Sequence, residues 1–218
     1  MKITKETLTF LKDLKKNNDR DWFNKNKDRY IAANENFTSF VQTIIDSVAK
    51  FDKTMAGLDA KKSVFRIYKD VRFSKDKSPY KTNLGASIPG KGKTSLITGY
   101  YLHIEPGASF LAGGAYMPEP DSIKAIRKEI SANGKSFLKI INDKTFKNLF
   151  NIEGEKLVNV PQGFDKEDPM GEYLKYKAIV MFHKMDDKTV LSENFAGYIT
   201  KVFKAMVPLN SFLNEAVL

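Results

Sequence analysis

Leucines recur at helical spacing near the start of the chain. Leu8, Leu11 and Leu14 follow Thr4, a residue suited to capping a helix, and Asn17-Asn18 ends the segment. A second helix is expected from Asp19 or Asp21, carrying Trp22 and Phe23. A long amphipathic helix comes next, with Phe37, Phe40, Val41, Ile44, Ile45 and Val48 on one face, and Gly57-Leu58 leads out of it. The period then changes. Residues 63–73, 82–88, 96–104 and 109–116 are rich in β-branched and aromatic residues and read as strands. Their connections, through Pro89-Gly90, Gly92 and Pro106-Gly107, are short, which suits antiparallel hairpins.

Helical spacing returns at Ile123, Ile126 and Ile130 behind Asp121, and Asn133-Gly134 separates these from Phe137, Ile140 and Ile141. Residues 155–160 and 177–183 are candidate strands. The last helix is expected from Thr189 to Val207, ended by Pro208. Helices, a run of strands and helices again define an α+β class, with a mostly antiparallel sheet flanked by terminal helices. No repeat or long linker interrupts residues 1–218, so a single domain is expected.

Composition narrows the chemistry. With 42% hydrophobic and 28% charged positions, the 218 residues suit a globular chain, not a disordered one. Cysteine is absent, which excludes disulfides, thiolate metal sites and thiol nucleophiles. No apolar run is long enough to span a membrane, and the opening MKITKETLTF lacks a signal-peptide core, so a cytoplasmic location without a membrane partner is expected. The net charge is +10, and residues 61–93 alone contribute +8 of it, with ten basic side chains against Asp70 and Asp76. Such a field attracts anions.

The chemistry concentrates in residues 64–82. Strand alternation would place Phe65, Ile67, Val71 and Phe73 on one face and Arg66, Tyr68, Asp70 and Arg72 on the other. Arginine binds carboxylates and phosphates in a bidentate way. Asp70 between the two arginines could orient both, or act as a general base. Lys69 interrupts the apolar face, which points to a bulge or an exposed edge. The adjoining turn supplies Lys77, Tyr80 and Lys81, placed to close over a bound anion. Two readings stand open: an anion pocket, or an ion-pair network that ties the sheet to the first helices.

Arg66, Asp70, Arg72 and Phe73, then Asp76, Lys77 and Tyr80, resemble the signature of a bacterial family of uncharacterised proteins, domain of unknown function 2461. Lys69 stands where that signature carries a further arginine. Asn17-Asn18-Asp19-Arg20-Asp21-Trp22-Phe23, together with Gly99-Tyr100-Tyr101, Pro106-Gly107 and Gly113-Gly114, extends the resemblance over most of the chain. The resemblance implies a single-domain cytoplasmic protein and supplies no activity and no cofactor.

Other constellations are weaker. His103, Glu105 and His183 have the composition of a two-histidine-one-carboxylate metal site, as in a non-haem oxygenase. Equally, Tyr101, His103 and Glu105 could be the polar face of a half-buried sheet. Residues 87–94 approach a phosphate-binding loop, but Ser87 replaces its first glycine and a strand is expected to come after it. Gly113-Gly114 permits a close approach of backbone or ligand. The function expected from the sequence is binding of a small anionic or phosphorylated ligand, with enzymatic turnover left open. Arg66, Arg72, Lys77, Tyr80 and Lys81 would bind it, with Asp70 as orienting or proton-transfer group. The alternative is a basic module for nucleic acid or an acidic protein.

Overall fold

A computed structural model describes residues 1–72, 75–89 and 97–217. Helix α1, Lys5–Lys16, starts where the Thr4 hydroxyl accepts from the Thr7 amide, and Lys15 and Lys16 lie at its negative end. Asp19 caps α2, Arg20–Lys25, in the same way, through the Trp22 amide. Helix α3, Lys27–Val48, buries the apolar stripe from Phe37 to Val48 that its spacing predicts, and packs on α1. A 3-10 turn, Lys53–Met55, and a short helix α4, Ala60–Ser63, come after it. Strands β1 (Leu84–Pro89), β2 (Gly99–Ile104) and β3 (Ser109–Ala115) are next, then α5 (Pro120–Ala132), α6 (Gly134–Ile141) and α7 (Lys144–Leu149). Strand β4 (Asn151–Glu153), α8 (Gly171–Leu174), β5 (Ile179–Met185), α9 (Asp187–Val190) and α10 (Phe195–Glu215) complete the chain.

The strands form an antiparallel sheet of five, in the order β1-β2-β3-β5-β4. Ile152 pairs with Met181 where β4 meets β5. The fold is α+β, as the alternation of periods predicts. Contacts group the chain into two units made from interleaved segments. One comprises Met1–Ile88, Tyr101–Leu111 and Lys184–Thr200; the other comprises Pro89–Tyr100, Ala112–His183 and Lys201–Leu218.

The first unit is built on the leucines of α1 and the aromatic stripe of α3, with Phe40 stacked on Phe195 at 5.3 Å. Its α1–α2 junction adds Phe23, which is buried, and Trp22, which stacks on Phe10 and lies under the Arg29 guanidinium. The second unit centres on Tyr100 against Phe203 at 4.8 Å and on Phe137 between Tyr173 and Phe212. Gly113 and Gly114 serve packing there. A Cβ on Gly113 would lie 2.5 Å from the Met206 sulfur, and one on Gly114, whose φ is +113°, would lie 2.2 Å from the Ile179 carbonyl oxygen.

Several expectations are corrected. Of the strand expected at 63–73, residues 63–72 are not a sheet strand. Ser63 ends α4, and the extended stretch beyond it pairs only at isolated bridges, Val64 with Ala86 and Tyr68 with Tyr80. With so little pairing the alternation breaks: Ile67 is buried, but Phe65, expected on the same face, is 47% exposed. Phe73 lies outside the described residues. The strand expected at 155–160 lies at 151–153, leaving one bridge from Lys156 to Tyr176. Pro120, with its φ already helical, starts α5 in place of an Asp121 cap. The terminal helix divides into α9, capped by Asp186, and α10.

Pro208 does not end α10 but sits inside it. The ring removes one helical hydrogen bond, yet Leu209, Phe212 and Leu213 beyond it are all buried, and their burial outweighs the loss. Because Pro208 is exposed, Pro208→Ala should restore the bond without opening a cavity and stabilise the protein by about 2 kcal/mol. Thermal unfolding checks this; an unchanged or lower midpoint contradicts the account.

Candidate functional site

The signature segment is anchored from the α1–α2 junction. Asn18 grips the backbone of Tyr80 at both ends: its Nδ2 donates to the Tyr80 carbonyl at 2.9 Å, and its Oδ1 accepts from the Tyr80 amide at 3.1 Å. The Tyr80 ring stacks on Phe23 with centroids 3.9 Å apart. Backbone bonds from Lys69 to Pro79 and from Lys81 to Ile67 zip the two arms of the loop together. Tyr80 is thus a core residue, and burial pushes its phenol pKa up. It is not exposed to close over a ligand.

The cations of the segment have different fates. Arg72 forms a two-bond fork with Asp70, Nη2 to Oδ2 at 2.7 Å and Nε to Oδ1 at 3.0 Å, and both side chains are well exposed. The Arg72 hydrogen bonds hold the Asp70 carboxyl below the usual range, with Arg66 adding a weaker pull. Asp70 therefore bonds one arginine, not two, and stays ionised. Lys69 pairs with Asp76 and donates to Ser78. The Lys69 bond holds Asp76 below the ordinary carboxylate range. Lys77 donates to the Val71 carbonyl at 3.0 Å. Lys81 donates to the Arg66 carbonyl at 3.1 Å and lies over the Phe65 ring at 5.4 Å. Burial, and then the Arg66 charge, push the Lys81 pKa down. Among the described residues neither Arg66 nor Lys81 has a carboxylate partner. Lys91 and Lys93 lie outside the described residues, as does most of the phosphate-loop-like stretch 87–94.

A second cluster adjoins this one. Strand β2 buries Tyr100, Leu102 and Ile104 and turns Tyr101 and His103 to its other, half-buried face, with Glu105 next in line. His103 Nε2 lies 3.2 Å from Glu105 Oε2, and His103 Nδ1 lies 3.1 Å from the Tyr101 hydroxyl and 3.3 Å from Asn83 Nδ2. Glu105 Oε1 accepts from the Thr82 hydroxyl at 3.0 Å and lies 3.5 Å from the Lys15 ammonium. Phe110 stacks on the imidazole at 4.5 Å. Gly85 makes room for the chain of bonds, because a Cβ there would come 2.6 Å from the Tyr101 oxygen. The Phe65 ring lies 6.2 Å from that of Tyr101, so Lys81 and this network share one aromatic neighbourhood.

Electrostatics fix the proton positions. Burial pushes the His103 pKa below its ordinary 6.5, against the upward pull of Glu105, so the ring is neutral near pH 7. Burial acts to raise Glu105, but bonds from His103 and Thr82 and the charges nearby outweigh it and hold the carboxyl below its usual value. An ionised carboxylate only accepts, so Nε2 carries the imidazole proton. Nδ1 is then a lone pair, and the Tyr101 hydroxyl at 3.1 Å and the Asn83 amide at 3.3 Å both direct a proton at it.

His183 belongs to the other unit, with Nδ1 2.7 Å from the Leu149 carbonyl. Among the described residues no group of three or more His, Asp or Glu side chains is placed to hold a metal, so His103, Glu105 and His183 do not form the suspected triad. His103 is committed instead to Glu105, Tyr101 and Asn83. Of the two readings open from the sequence, a metal-ligand set or the polar face of a half-buried sheet, the structure has the second, with hydrogen bonds along that face that the sequence reading did not include. The signal was present: Tyr101, His103 and Glu105 at every second position share one strand face.

The chain belongs to the family of conserved hypothetical proteins DUF2461, which matches residues 6–212. Comparison with curated proteins gives no match, and neither does comparison with solved structures. No helix among the described residues is long and apolar enough to cross a membrane.

The depressed His103 pKa has a consequence for stability. Below about pH 6.5 the unfolded chain takes up a proton that folded His103 resists, so stability present above that pH declines as pH falls through the folded-state value. Urea unfolding at pH 7.5 and pH 5.5 should show wild type losing more stability on acidification than His103→Gln. Equal losses would contradict the assignment.

Proposed function

We propose that this protein binds a small anionic ligand, a phosphate ester or carboxylate, at Arg66 and Lys81. The observation that carries this reading is a pair of neighbouring cations that, among the described residues, have no ion-pair partner. The loop neutralises Arg72 with Asp70 and Lys69 with Asp76, yet holds Arg66 and Lys81 close enough for one to depress the other's pKa. An anion between them relieves that repulsion and gains charge-assisted hydrogen bonds. The ligand-binding residues are thus narrowed from the five the sequence offers. Arg72 is already bound, Lys77 caps a carbonyl and Tyr80 is buried. Phe65 supplies an exposed apolar wall beside Lys81.

Titration calorimetry with inorganic phosphate, pyrophosphate and citrate tests the reading. Arg66→Ala and Lys81→Met should each weaken binding by about tenfold or more, since one hydrogen bond to a charged group contributes ~1.5–3 kcal/mol. Arg72→Ala should change it less than about threefold. Loss of binding in Arg72→Ala but not in Arg66→Ala would overturn the site. So would the absence of small-anion binding together with tight, steeply salt-dependent binding of an oligonucleotide, which marks a basic nucleic-acid module.

A further inference from the structure

We infer that Tyr101, His103 and Glu105 form a proton relay that makes the Tyr101 phenol a nucleophile for phosphoryl transfer from a phosphate ester. The geometry is that of a nucleophile–base–carboxylate series carried on β2 and the residue that follows it: hydroxyl to Nδ1 at 3.1 Å, Nε2 to carboxylate at 3.2 Å. Each member has the partner its role needs. Glu105 is a positioning residue. It fixes the tautomer, and its own second oxygen is held by Thr82 with Lys15 nearby. His103 is held in plane by the Phe110 stack and presents a lone pair to the phenol. Gly85 gives the Tyr101 oxygen its place on the sheet.

The assignment of a phosphate ester rests on the anion reading above, because Arg66 and Lys81 would take its non-bridging oxygens. In the first step the Tyr101 oxygen bonds to phosphorus while its proton passes to His103 Nδ1, giving an imidazolium paired with the Glu105 carboxylate. The ester P–O bond breaks, its electron pair stays on the leaving oxygen, and His103 returns the proton to that oxygen. Water then bonds to phosphorus as the tyrosyl oxygen leaves, and one proton of the water reaches Tyr101 through His103. The sum is ester plus water giving alcohol plus phosphate.

Two measurements on the full chain test this. The first is labelling by an aryl sulfonyl fluoride, in which the tyrosyl oxygen bonds to sulfur, fluoride leaves and His103 takes the phenol proton. Peptide mass spectrometry should find Tyr101 modified faster than Tyr116 and Tyr68, although these are 74% and 51% exposed. His103→Gln should slow Tyr101 labelling by about a hundredfold, the usual worth of a positioned general base. In wild type, which removes any question of folding, the Tyr101 rate should rise with loss of the proton from His103, below its ordinary 6.5, rather than near 10 as for a free phenol. The charged groups that bear on this titration are Glu105 and, beyond it, Lys15. Tyr116 labelling as fast as Tyr101, or a Tyr101 rate that rises only near pH 10, overturns the relay whatever calorimetry shows for phosphate. The second measurement is hydrolysis of p-nitrophenyl phosphate, expected in wild type and lost in Tyr101→Phe. Fast Tyr101 labelling without hydrolysis overturns the phosphate-ester assignment.

Discussion

The signature loop is held by one side-chain amide. Asn18 satisfies both backbone polar groups of Tyr80, which an extended segment would otherwise bond to a neighbouring strand. Among the described residues the loop has no full strand pairing, only isolated bridges and a few single backbone bonds. Without Asn18 two part-buried polar groups would lose their partners, at a cost of about 1–3 kcal/mol each. The Phe23–Tyr80 stack adds the apolar half of the same anchor. The two residues after Tyr80 depend on that anchor for their positions. Lys81 reaches back to the Arg66 carbonyl, and Thr82 reaches forward to Glu105. The N-terminal helices, the basic loop and the polar face of β2 are thus joined through three consecutive residues.

Electrostatics then divide the basic segment into satisfied and unsatisfied charge. Exposed ion pairs such as Arg72–Asp70 contribute little to stability, because solvent screens them. They do place a carboxylate beside Arg72 and another beside Lys69. Among the described residues, Arg66 and Lys81 have no ion-pair partner, and Arg66 acts on Asp70 only weakly and on Lys81 by repulsion. Glu105 shows the opposite balance, with His103, Thr82 and Lys15 all directed at one carboxylate.

Much of the fold is legible in the sequence. The α1 and α3 stripes and strands β2 and β3 emerge from spacing because each buries one continuous face. Legibility fails where tertiary contact decides. Residues 64–72 carry strand composition but lack strand partners, so alternation misplaces Phe65. Pro208 is a helix breaker by local rules and is overruled by the buried Leu209, Phe212 and Leu213 beyond it. At the site, Arg66, Asp70, Arg72 and Lys81 are picked out by residue type, but which cation takes which carboxylate depends on a loop path that spacing does not reveal. Tyr101, His103 and Glu105 are visible as one face. Their linkage depends on Gly85 and Asn83 of the neighbouring segment.

The central claim is that His103 is a neutral imidazole with its proton on Nε2, directed at Glu105, and a lone pair on Nδ1, directed at Tyr101. Nitrogen-15 NMR of the two histidine rings at pH 7 reads this directly, with the His183 signals identified by His183→Gln. The account predicts a pyrrole-type shift for His103 Nε2 and a pyridine-type shift for Nδ1. Two pyrrole-type shifts, the mark of an imidazolium, or the reversed tautomer would contradict it.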